Sequence, residues 1–473
     1  MAAYARAGGQ PVVPPVVPAG SYVDPAWPSP RPSWPPPAGA QLGAAAPAGE
    51  YDPFRGAWTP PPPRWSRRTR AVVIAAVAGV TAVVVALAAV GAVTFAERVR
   101  DTTRQQAQAT AALDAALPGL EAFVAHDTGR PWRSTVTAKV LGDAAFLRTL
   151  DDSQGDDPQQ PASDEDDTGV TVTAMGLAAD PHDYWDASYS GVDDNVTGFY
   201  DDTTKTLYVR GSTWSPPVED TLVHELTHAN QDQSFDLGAL TGATTTTDET
   251  PDVLQAVVEG EATMVEKDYY DTQSPSWQQA VDADSESGSP SDIAAVDAQG
   301  AFPYVVGESF MEGLRRQGGT AAVDKAFTHP PTHSRDLADP AGWLAGTLPA
   351  VKAVPQPALK NTTSSDVADI GVLGARGLWI AVAGVEAPQH PSVADLSTMA
   401  GWTGDTYVAT DRSYDDKADT YTGPFCFVDD MTFLDTAART RALSFVDRWT
   451  SAEHVSVVLE GPDGVRFSRC SSG

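Results

Sequence analysis

The stretch Thr221-Leu222-Val223-His224-Glu225-Leu226-Thr227-His228-Ala229-Asn230 decides how this chain is read. In a helix, His224 and His228 stand one turn apart on the same face, and Glu225 lies beside the first of them. A catalytic zinc wants that geometry. Two neutral imidazoles bind the metal, a third ligand from elsewhere leaves one position open, and the glutamate takes a proton from water as it attacks a carbonyl. Leu222, Val223, Leu226 and Ala229 form an apolar stripe that would bury the helix. Pro216-Pro217 followed by Val218-Glu219-Asp220 marks its start, with proline in the first turn and acids at the positive end of the dipole.

Upstream, Gly198-Phe199-Tyr200 and Thr206-Leu207-Tyr208-Val209 read as two strands joined by the polar turn Asp201 to Lys205. Downstream, Asp252 to Glu266 reads as a second helix containing Val257-Val258-Glu259-Gly260-Glu261-Ala262. A hairpin, the pentad helix and then Glu-Gly-x-Ala resemble the gluzincin metallopeptidases of the peptidase-MA type. That resemblance implies an α+β zincin-like fold and makes Glu259 the third zinc ligand. Glu261 is the rival, because two positions on a helix differ by roughly 200° and only one of them can face the metal. The family pattern, not the spacing, chooses Glu259. Asn230 departs from the family, which usually has an apolar residue there, so the packing behind the second histidine should differ from the relatives'.

A further segment, Phe302-Pro303-Tyr304-Val305-Val306-Gly307-Glu308-Ser309-Phe310, opens a helix expected to run to about Arg316 and to stop at Gly318-Gly319. Another helix, Thr320 to Phe327, leads into Pro330-Pro331-Thr332-His333. This order resembles the part of the same family that follows the third ligand, where a phenol or imidazole near the metal stabilises the oxyanion. Tyr304 and His333 are therefore candidates for that role. With Gly401-Trp402-Thr403-Gly404-Asp405, the resemblance extends over roughly 120–460 to membrane-anchored bacterial proteins that share the pentad.

The rest of the chain supplies the setting. Residues 1–63 hold 17 of the 38 prolines and almost no aliphatic periodicity, so 1–70 is expected to be a disordered tail. Such a tail serves as a spacer or as a ligand for a cytoplasmic partner. Residues 71–95 carry no charge and, at about 1.5 Å per residue, exceed the roughly 30 Å of a hydrocarbon core. Arg64, Arg67, Arg68 and Arg70 precede this run, which places the N-terminus in the cytoplasm and everything after Phe95 outside. Segments 96–118, 119–345 and 346–473 are expected as a helical stalk, a zincin-like domain and a C-terminal α+β cap. In the cap, a buried helix is expected over Ile370 to Val382, strands near Thr406 and over Phe425 to Leu434 and Val455 to Leu459, and a helix from Asp435 to Thr450.

Residues 1–70 have a net charge of +4, against −36 for the remainder. A surface that acidic disfavours nucleic acid and anionic membranes as partners. The acid-rich stretch 151–168 is expected as a solvated loop and lacks the ligand spacing of a calcium loop. Cys426 and Cys470, the only cysteines, both lie in the external part, where one disulfide is permitted. Together these readings predict a single-pass, cell-membrane zinc metallopeptidase that cleaves peptide or protein substrates outside the membrane. Two other readings use the same residues: a non-catalytic surface scaffold with a zincin fold, and a zinc amidase acting on a cell-envelope amide.

Overall fold

The computed structural model describes residues 51–52, 57–58, 101–154, 163–189, 196–211, 213–241, 249–285, 290–358, 367–387, 391–410, 414–415, 420–421 and 423–471. The chain divides into two units, Gly8–Asp101 and Met1–Ala7 with Thr102–Gly473. Among the described residues of the first, Tyr51–Asp52 pairs antiparallel with Ala57–Trp58. The expected membrane span 71–95 lies outside the described residues, and among those that are described no helix is long and apolar enough to cross a membrane. Among its described residues the second unit mixes helices with a five-stranded, a three-stranded and a two-stranded sheet, an α+β architecture.

Local chemistry explains the elements around the pentad. The strands Gly198–Asp201 and Thr206–Arg210 pair antiparallel as expected, and Thr137–Leu141 adds in parallel on the other side of Thr206–Arg210. The hairpin turn is held by the Asp201 carboxylate, which accepts from the N–H groups of Thr203 and Thr204 at 2.9 and 3.0 Å. Lys205 closes it in the left-handed region, at φ 53°. The pentad helix then runs Pro216–Phe235 behind an extended Ser215, with its prolines in the first turn. It is buried on every face from Leu222 to Asp232, well beyond the apolar stripe. Its polar side chains must therefore find partners. Asp232 accepts from the Tyr200 hydroxyl at 2.7 Å and from Lys205 at 2.8 Å.

The glutamate helix, Thr250–Thr272, packs on the pentad helix and also against a long tyrosine helix, Ala294–Gly318. Two glycines set the second contact. A Cβ on Gly260 would lie 2.1 Å from the Gly307 carbonyl carbon, and one on Gly307 would lie 2.1 Å from the Ala256 oxygen. The glycine of Glu-Gly-x-Ala is thus needed for backbone-to-backbone contact, which seats Glu259 and Tyr304 on adjoining helices. The tyrosine helix begins at Ala294, earlier than expected, and continues through Pro303. Proline there removes one backbone hydrogen bond, and the burial of Phe302, Val306 and Phe310 around it holds the helix together.

Several expected boundaries shift. Residues 102–128 are helical, but they do not form a free stalk, because Leu113, Leu120 and Val124 bury in one cluster with Leu222, Val223 and Leu226 of the pentad helix. No core boundary falls at 345, since Leu378, Trp379 and Phe427 share a continuous apolar core with Val257, Phe302 and Phe310. The acid-rich stretch read as a loop is helical from Ser163, in Ser163–Ala174. Ile370 belongs to a strand, Val367–Gly371, and the helix expected there is Gly374–Glu386.

The C-terminal sheet is antiparallel in the order Ser456–Glu460, Gly464–Cys470, Cys426–Phe433, Trp402–Thr410, Val367–Gly371. Cys426 and Cys470 face each other in register and form a disulfide.

Glu249 sits at the start of the glutamate helix, where burial pushes its carboxyl up to about 8 although Ser334 donates to it from both N–H and hydroxyl. The folded chain keeps a proton there that the unfolded chain releases near 4.5. Its contribution to stability is therefore complete below that pH and lost as pH rises through about 8. Thermal melting should show Glu249→Gln gaining on the parent chain between pH 4.5 and 8. A constant difference across that range would contradict this assignment.

Candidate metal centre

The pentad helix and the glutamate helix bring His224, His228 and Glu259 together, with one potential ligand atom from each all within 4.8 Å of one another. The Glu259 side chain is fully buried. Its Oε2 lies 3.1 Å from His224 Nε2 and 3.4 Å from His228 Nε2. Although His228 Nε2 is that close, it makes no hydrogen bond among the described residues, and Glu259 Oε1 has no partner among them either. Two buried, unpartnered ligand atoms beside a third are what a bound cation would satisfy. Two imidazole nitrogens and one carboxylate oxygen also match the donor set of a zinc site with an open position. The residues present fit a divalent transition metal of that kind.

Electrostatics follow from this crowding. Burial favours the neutral form of Glu259, but the adjoining imidazoles outweigh it and hold the carboxyl well below the usual range. Burial likewise works against a charged His224, yet its hydrogen bonds to Glu259 and Glu266 raise it well above the ordinary histidine value. A metal would take the place of the Nε2 proton, since a ligating imidazole must be neutral on that nitrogen.

Glu225 is buried and does not join the triad. Its Oε2 accepts the Tyr200 N–H at 2.7 Å, a donor delivered by the edge strand of the three-stranded sheet. Burial raises its carboxyl above the ordinary glutamate value, opposed by the charges of His228 and His224. A carboxylate shifted upward is a better proton acceptor at neutral pH.

The two acids of Glu-Gly-x-Ala part company as the helical rotation requires. Glu261 points away from the triad and accepts from Arg130 Nη2 at 2.6 Å and from Gln231 Nε2 at 3.1 Å. The Tyr304 ring, half-buried, lies with its centroid 6.1 Å from that of His224. His333 instead leads into the short helix Ser334–Ala338 and packs edge-on against Trp402, 5.5 Å between centroids. Its hydrogen bonds run to Thr332 and Asp336, outside the triad.

Some functional neighbours had no place in the sequence reading. Glu266 accepts from His224 Nδ1 at 3.0 Å. It lies seven residues after Glu259, two turns along the same helix face, a spacing that could have suggested it. Asp220, whose carboxyl burial and Glu266 push up to about 8, backs Glu266 in turn. Gln231, three residues after His228, meets His228 Nδ1 at 3.0 Å. Arg130 has no local signal at all, because its partners are distant in sequence.

The chain matches no family model, no curated protein and no solved structure.

Proposed function

We propose that this chain is a zinc-dependent metallopeptidase with a zincin-type site, anchored by the apolar run 71–95 and working outside the membrane on peptide or protein substrates. The observation that carries the reading is the joint burial of His224, His228 and Glu259 within 4.8 Å, with Glu225 next to them in the helix. His224, His228 and Glu259 would hold the ion. When bound, zinc supplies a Lewis acid that polarises a carbonyl and makes water acidic enough to attack at neutral pH.

The chain's own groups do the rest. Glu225 takes the proton of the attacking water and hands it to the leaving nitrogen, with the Tyr200 N–H fixing the carboxylate's orientation. Tyr304, whose ring lies 6.1 Å from that of His224, would donate to the oxygen that becomes negative as the carbonyl is attacked. Glu266 and Gln231 orient the two imidazoles through their Nδ1 atoms. Glu225 also favours an enzyme over a scaffold. Burying a carboxylate is costly, and among the described residues Tyr200 N–H is the hydrogen-bond donor that Glu225 receives.

The full-length chain, offered a broad peptide library, should cleave it, lose that activity to a metal chelator and regain it with zinc. Cleavage that survives complete removal of the metal would contradict the reading. Release of ammonia or an amine from envelope amides without cleavage of any peptide would assign the same site to an amidase.

A further inference from the structure

Arg130 is buried where the 102–128 helix gives way to the three-stranded sheet, and each of its three guanidinium nitrogens donates a hydrogen bond. Nε donates to Asn230 Oδ1 at 2.9 Å, Nη1 to Asp324 Oδ1 at 2.8 Å and Nη2 to Glu261 Oε2 at 2.6 Å. Its guanidinium also lies 5.0 Å from the centroid of the Phe235 ring. Asn230, the family departure, returns a hydrogen bond from Nδ2 to the Arg130 carbonyl at 3.1 Å and accepts from the Thr128 hydroxyl at 3.2 Å. A buried polar residue at that position is thus explained by the arginine it holds.

Glu261 Oε2, fixed by Arg130, receives one amide hydrogen of Gln231, and the Val258 carbonyl receives the other at 2.9 Å. Both acceptors can pair only with the NH2 end of the amide, which assigns the Gln231 orientation. Oε1 must then face His228 Nδ1, at 3.0 Å, and it can only accept. His228 Nδ1 therefore carries a proton, which leaves Nε2, the nitrogen 3.4 Å from Glu259 Oε2, as the atom free to exchange its proton for a metal.

We propose that Gln231, Glu261 and Arg130 are positioning residues that lock His228 in its metal-binding tautomer, so that the end of the 102–128 helix is wired into the metal centre. The inference rests on the metal-binding part of the proposed function. Glu261 acts here on affinity and not on stoichiometry, because it supplies no ligand atom.

The test uses the full-length chain, zinc titration against a chromophoric chelator, and nitrogen-15 histidine spectra of the zinc-loaded protein. Gln231→Leu and Glu261→Leu should each weaken zinc binding by roughly 10- to 100-fold while still reaching about one zinc per chain at saturation. Glu261→Gln can place its carbonyl oxygen where Oε2 stands and accept from both Arg130 and Gln231. It should stay within about threefold of the parent, a rescue that would be absent if only bulk packing mattered. In the parent spectrum His228 should show a slowly exchanging Nδ1 proton and coordination through Nε2, and Gln231→Leu should lose that protection. Parent-like affinity in Gln231→Leu, or His228 bound through Nδ1, would overturn this inference while leaving the metal site standing. A parent chain that takes up no zinc would overturn both.

Discussion

Glu225→Gln is expected to lower turnover by about 10²- to 10⁴-fold while the chain still binds about one zinc. Glutamine keeps the shape and keeps an oxygen to accept the Tyr200 N–H, so the contact at 2.7 Å survives. Only the capacity to take a proton is lost. Burial has already shifted this carboxyl upward, which strengthens it as a proton acceptor. Side-by-side progress curves and zinc contents for the parent and the variant decide the matter. Parent-rate cleavage by the glutamine variant would end the proposed mechanism even with zinc bound.

Single replacements of His224, His228 or Glu259 by Ala are expected to cause the largest loss of metal, because each removes one of three protein donors. They should also remove the pairing that holds the others in place. Glu259 loses one of its two imidazole neighbours when either histidine goes, and a buried carboxylate with less positive charge beside it shifts toward its neutral form. Glu261→Ala, by contrast, should still fill with zinc at saturation, since Glu261 binds Arg130 and Gln231 instead. Zinc retained by Glu259→Ala and lost from Glu261→Ala would show that the register of ligands had been misassigned.

What the sequence disclosed, and what it hid, divides along the range of the interactions. The hairpin Gly198–Asp201 and Thr206–Arg210, the start of the pentad helix and the strand Cys426–Phe433 were legible because turn residues, prolines and alternation are local signals. The resemblance of Glu-Gly-x-Ala pointed to Glu259, and the structure explains the glycine of that pattern by the Gly260–Gly307 contact. Glu266 was read only as the end of the second helix, although it stands seven residues after Glu259 on the same face. Arg130 could not be found by spacing, since it reaches Asn230, Glu261 and Asp324 across stretches of chain that carry no mutual pattern. The membership of 102–128 in the core was hidden for a related reason. An Ala- and Gln-rich helix with a sparse apolar stripe gives no sign of its partner until Leu222 and Leu226 are seen against it.

The central claim is that two imidazoles and one carboxylate hold a metal ion, and zinc-edge X-ray absorption of the purified full-length chain tests it most directly. The expected result is about one zinc per chain, with two histidine nitrogens and oxygen donors at about 2.0–2.2 Å and no sulfur. Cys426 and Cys470, tied to each other, are not available as ligands. A spectrum without imidazole scattering, one with sulfur in the inner shell, or a chain that cannot be loaded with zinc would contradict it.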